Sequence, residues 1–209
     1  MQTYLFWIQI AAIGLSVVLT TFMLARFAIV KSRHILIWAV AWFVVAVRVA
    51  VGLFLPLQST GLFLNDFLTV VHDLFWLLGV IVLLELTPWM SYLPLLFLLI
   101  YVPLSAIFYF GVNNKVLGTG LTTIIAHPFL LFLLSWYFYQ GGKVLRSLGA
   151  KIIAGAFALW ALDYIALGVL WYAQRIPLAG TIGWTVGFLF RLALFLGFIL
   201  MVTEQKKGQ

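Results

Sequence analysis

The sequence predicts an all-α integral membrane protein, a bundle of seven transmembrane helices with its N terminus outside and its C terminus in the cytoplasm. Apolar residues make up 66% of the chain and charged residues only 8%, whereas a soluble domain carries about 25% charged residues to cover its surface. Aromatic residues reach 17%, far more than a disordered chain holds. At roughly 20 residues per crossing, with short turns between, the 209 residues accommodate about seven or eight crossings and leave no room for a soluble domain.

The elements follow in order. A first apolar run, residues 4–30, starts without the basic region and small-residue cleavage site of a signal peptide and is expected to be retained. It stops at Lys31-Ser32-Arg33-His34. The second, 35–55, ends where Pro56 opens a polar break reaching Asn65. The third, 66–86, ends at Thr87-Pro88-Trp89-Met90, because proline cannot continue a helix. Runs 91–111 and 118–139 flank a turn containing Asn113 and Asn114. Run 150–174 ends at Arg175, before Pro177, and run 181–202 leads to a charged end. No run shows the apolar/polar alternation of a membrane barrel. The expected organisation is one seven-helix domain over 1–203 and a short cytoplasmic tail over 204–209.

Basic residues set the orientation, since those near helix ends are retained in the cytoplasm. Arg26, Lys31, Arg33, Lys143, Arg146, Lys151, Lys206 and Lys207 fall on one side, and only Lys115 and Arg175 on the other. Tyr4, Trp7, Trp171, Tyr172 and Trp184 form an outer aromatic belt; Trp89, Tyr92, Trp136, Tyr137 and Tyr139 form an inner one. The net charge of +7 is thereby explained by orientation. Twelve basic residues dispersed over the turns form no phosphate-tracking groove, so nucleic acid is not an expected partner. The absence of cysteine excludes disulfides, thiolate metal sites and thiol nucleophiles.

Ionisable groups within apolar runs cost about 2.5–3.5 kcal/mol each on insertion scales, which marks each as a functional candidate. They are Arg48, His72, Asp73, His127, Asp163 and Arg191. Counted from the outer helix ends, all six fall between the outer third and the midplane, and their signs suggest two ion pairs, Arg48 with Asp73 and Asp163 with Arg191. In the third run Asn65, Thr69, His72, Asp73 and Trp76 share one helical stripe, which must face the bundle interior rather than lipid. In the fifth, Thr123 lies one turn before His127, and Pro128 frees the carbonyl of Ile124 and bends the helix. Trp160, Asp163 and Tyr164 share a face of the sixth run, as do Trp184, Gly187 and Arg191 of the seventh. Trp76, Trp160, Tyr164 and Trp184 thus supply an aromatic wall. Gly183 and Gly187 have the spacing of a small-residue packing motif, read chiefly as close helix approach. Glu85 and Glu204, near inner helix ends, are expected only to reach the interface.

Enzymatic motifs are missing: there is no Gly-x-Ser-x-Gly, no paired-aspartate protease motif and no His-x-x-x-His. A metal held by His72, Asp73, His127 and Asp163 is disfavoured by the two arginines at the same depth. Retinal linkage is excluded because the seventh run lacks lysine. No enzyme activity and no cofactor is expected.

The stretch Lys31 to Arg48, with its basic turn, Trp38, Trp42 and then an arginine, resembles the membrane input region of bacterial sensor histidine kinases and diguanylate cyclases. The stretch from Arg191 to Lys207, a helix running into a charged segment, is similar to the last helix of that region. The resemblance implies a seven-helix sensor that passes a signal to a cytoplasmic effector on its C-terminal side; no kinase or cyclase domain follows Gln209 in this sequence.

The expectation is therefore a receptor-like sensory module of the bacterial inner membrane, taking a small or lipophilic signal in the outer half of its bundle. Its partners are the bilayer, the signal molecule and an effector. The competing expectation is a small transporter or channel using the same polar band as a substrate or proton site.

Overall fold

Within a bilayer the backbone finds no hydrogen-bond partners outside itself, and a uniformly apolar chain satisfies it as helix. The computed structural model describes residues 2–55, 58–174 and 177–204, and all regular structure among them is helical. In order these are α1 (Gln2–Val30), α2 (Arg33–Phe54), α3 (Ser59–Leu83), a 3-10 turn (Pro88–Tyr92), α4 (Leu93–Ala106), α5 (Lys115–Gly120), α6 (His127–Val144), α7 (Leu148–Gln174) and α8 (Pro177–Glu204). Two π-helical turns interrupt this pattern: Ile107–Gly111 extends α4, and Leu121–Ala126 joins α5 to α6. Among the described residues seven helical stretches are long and apolar enough to cross a bilayer. Arg175, Lys206 and Lys207, and the side chains of Trp171 and Tyr172, lie outside the described residues.

The main boundary difference is in α3. The polar composition of 58–65 reads as loop, yet α3 begins at Ser59, because Asn65 and Asp66 turn inward onto protein partners instead of ending the helix. Four helix ends close on residues with positive φ: Lys31 (57°), Glu85 (50°), Asn113 (51°) and Arg146 (51°). At each the chain reverses through the left-handed region that glycine usually fills. Asn114 then caps α5, its Oδ1 accepting from the N–H of Leu117 at 3.1 Å.

The chain divides into two compact units, Met1–His127 and Pro128–Gln209. In the first, α2 packs against both α1 and α3, and α3 also meets α4, α5 and both π turns. Its core is tryptophan-rich: Trp38, Trp42 and Trp76 are fully buried. The Trp38 Nε1–H donates to the carbonyl of Trp76 at 3.3 Å, and Trp42 meets the Trp76 ring edge-on at 5.2 Å. Gly79 makes this fit possible, since a Cβ there would run into the Trp38 ring. Apolar residues cover the outside, among them Val17, Val18 and Ile29 on α1 and Leu95, Leu99 and Ile100 on α4, all exposed. Polar side chains inside and apolar ones outside is the arrangement of a lipid-solvated helix bundle.

In the second unit α7 packs along α8. Phe138 of α6 sits against Phe157 of α7 and, edge-on, Phe198 of α8, with centroids 5.7 and 5.8 Å apart. The two backbones meet most closely at Gly149 and Gly197, where a side chain on either glycine would strike the neighbouring helix. Gly183 and Gly187, the pair marked by spacing, do a different job: Gly187 leaves room for Trp160 and Arg191.

Candidate functional site

The stripe on α3 organises the first unit. Thr69, His72, Asp73 and Trp76 are buried, His72 and Asp73 completely. Asp66 belongs to the same stripe, seven residues before Asp73, and is also buried. Composition hides it by placing it at a helix entrance; its spacing from Asp73 was the available signal.

Asp73 is shared by two histidines. Its Oδ2 bonds to Nδ1 of His127, delivered by the start of α6, and its Oδ1 lies 3.0 Å from Nδ1 of His72. A carboxylate only accepts, so the bonded Nδ1 of His127 carries the hydrogen, while the His72 contact is a close approach without hydrogen-bond geometry. The His72 and His127 rings meet edge-on at 5.8 Å, and His72 packs on Trp76 at 4.9 Å. The expected pair of Arg48 with Asp73 does not form. Arg48 lies six residues from the end of α2 at Phe54, and Asp66 seven from the start of α3 at Ser59, whereas Asp73 lies fourteen from that start. With about 1.5 Å of rise per residue, Arg48 is level with Asp66 and about 10 Å short of Asp73. The guanidinium, nine-tenths buried, is within electrostatic reach of Asp66 and His72. Its Nε and Nη1 meet no hydrogen-bond partner among the described residues.

Asp66 is satisfied by other groups. The Tyr109 hydroxyl donates to its Oδ2, and Asn65 Nδ2 donates to its Oδ1 at 3.3 Å. Because the Tyr109 hydrogen goes to Asp66, Thr119 Oγ1 donates to the Tyr109 oxygen at 2.7 Å. Tyr101 bonds Thr122 at 2.6 Å. Thr122, not Thr123, is therefore the polar partner contributed by this stretch. Both π turns serve the cluster: Ile107–Gly111 holds Tyr109, and Leu121–Ala126 ends where the His127 N–H donates to the carbonyl of Thr122, five residues back. Pro128 follows, and a proline there has no N–H for the carbonyl of Ile124, so the widened turn stands where a bend is expected.

In the second unit Arg191 and Asp163 do not form the expected ion pair. The Arg191 guanidinium lies over the rings of Trp160, at 4.9 Å, and Trp184, at 5.5 Å. Asp163 is half-buried and has no partner among the described residues. An aromatic face attracts a guanidinium without the desolvation cost of a second buried ion, and the space left by Gly187 lets Arg191 reach it. Tyr164 extends this face, its ring 6.2 Å from Trp160. Glu204 is no idle interface residue: its Oε2 accepts from Ser147 Oγ at 2.6 Å and from the Gly149 N–H at 3.4 Å, while Ser147 Oγ accepts from the Ala150 N–H at 3.0 Å. The last turn of α8 thus supplies an anion to the positive N-terminal end of α7.

Among the described residues no group of three or more histidine and acidic side chains is arranged to hold a metal ion. Protein-family models, curated proteins and solved structures all return no match to this chain.

Proposed function

We propose that the chain is a multi-pass sensory module of the bacterial inner membrane, N terminus outside, whose first unit receives a small or lipophilic signal at the polar groups around Asp66 and Asp73. The α7–α8 pair, ending at Glu204, passes the response to a cytoplasmic effector. One observation carries this reading. The buried polar groups of α2 and α3 run from Arg48 and Asp66, on the side of the α2–α3 turn, to His72 and Asp73 just past the middle of α3. Beyond them the helix pair is closed by Trp38, Trp42 and Trp76, then by Leu77, Val80 and Ile81. A polar site sealed toward one side by packed tryptophans suits reception of a signal; transport needs access from both.

The test is flux in liposomes holding the purified chain and a trapped pH dye. The expected rate of proton entry matches that of protein-free vesicles. Flux that Asp73→Asn abolishes would overturn the sensory reading in favour of a transporter.

A further inference from the structure

The buried charges of the first unit do not balance. Among its described residues the buried ionisable side chains are Arg48 on α2, Asp66, His72 and Asp73 on α3, and His127 at the start of α6. Two carboxylates face one guanidinium. With both imidazoles neutral, this interior would hold one uncompensated negative charge, and an apolar surrounding strongly disfavours that state.

The hydrogen bonds show where compensation can enter. Asp66 receives a donor on each oxygen, from Tyr109 and Asn65, and donors of this kind favour its charged form. The phenols of Tyr101 and Tyr109 are neutral donors already engaged with Thr122 and Asp66. Asp73 has an imidazole against each of its oxygens. A further hydrogen on either imidazole converts one contact into a charged pair without moving a heavy atom. An anionic ligand at Arg48 would worsen the imbalance.

We propose that the first unit is a proton-binding site that holds one proton at neutral pH, carried within the His72–Asp73–His127 triad. The proton belongs to the coupled triad rather than to one ring. It makes the interior neutral: two carboxylates, one guanidinium, one imidazolium. The proposal rests on this charge count and not on the sensory reading, and its test involves no signal and no effector.

The experiment is nitrogen NMR on the full chain with labelled histidines, in nanodiscs at neutral pH. A His34→Gln background leaves only the two buried histidines. One imidazolium and one neutral ring are expected. Asp66→Asn removes a carboxylate that touches neither imidazole, roughly 10 Å along α3 from Asp73. It is nevertheless expected to abolish the imidazolium signal, as is Asp73→Asn, whereas Asp163→Asn in the other unit leaves it intact. Two neutral imidazoles in the parent protein would overturn the proposal, as would an imidazolium indifferent to Asp66→Asn. An infrared band of a protonated carboxylic acid that disappears in Asp66→Asn would also overturn it, by placing the proton on Asp66. If neither asparagine variant folds, the imidazolium count and infrared spectrum of the parent protein decide.

Discussion

Replacing Gly79 with alanine probes the tryptophan closure of the first unit directly. A Cβ on Gly79 would run into Nε1 and Cδ1 of Trp38 and reach Cε2 at 3.0 Å. The ring lies between α2 and α3, fully buried, so it moves only by giving up its bond to the Trp76 carbonyl at 3.3 Å. Overpacking of this kind costs about 1–3 kcal/mol, and the lost buried hydrogen bond adds about 1 kcal/mol. Alanine in place of glycine within a helix returns up to about 1 kcal/mol. The expected net loss is about 1–3 kcal/mol. Gly155→Ala on α7 is the control, because a Cβ there meets nothing within 4 Å and only the helix gain of up to about 1 kcal/mol applies. The two variants should therefore differ by about 2–4 kcal/mol in unfolding by denaturing detergent followed by tryptophan fluorescence. Equal stability of Gly79→Ala and Gly155→Ala would refute the close α2–α3 packing on which the one-sided reading depends.

Three further substitutions test separate contacts. Tyr109→Phe leaves Asp66 Oδ2 without its donor and should cost about 1–3 kcal/mol in the same unfolding assay; Tyr92→Phe, at an exposed ring, should be neutral. Arg191→Leu removes the cation from the Trp160 and Trp184 rings, with an expected loss of about 1–2 kcal/mol and a red or blue displacement of tryptophan emission that Asp163→Asn does not reproduce. Glu204→Ala deprives Ser147 and the Gly149 N–H of their acceptor and should cost about 1 kcal/mol, seen as faster amide hydrogen exchange in the first turn of α7.

Much of the architecture was legible because apolar length and proline-bearing breaks are set by local chemistry. The stripe from Thr69 to Trp76 was legible for the same reason: polar side chains in an apolar helix have one direction to face. Partners were not legible. Pairing Arg48 with Asp73 assumed that α3 starts at 66; seven more residues of helix move Asp73 about 10 Å deeper and bring Asp66 level with Arg48. Pairing Asp163 with Arg191 treated opposite charge as sufficient, when the rings of Trp160 and Trp184 hold the guanidinium more cheaply. Glycine spacing pointed to Gly183 and Gly187, while the close crossing depends on what faces Gly149 and Gly197 from the other helix. Helix spacing names the residues on a face, but the partner depends on the rotation and start point of a second helix.

The π turn before His127 has a mechanical consequence. A π turn is an α-helix with one residue too many, and expelling that residue rotates everything beyond it by about 100° and shifts it by about 1.5 Å. His127 reaches Asp73 from the end of Leu121–Ala126, so its alignment with the carboxylate exists in only one of those two windings. Regularising the turn would swing the imidazole around the helix axis and release Asp73.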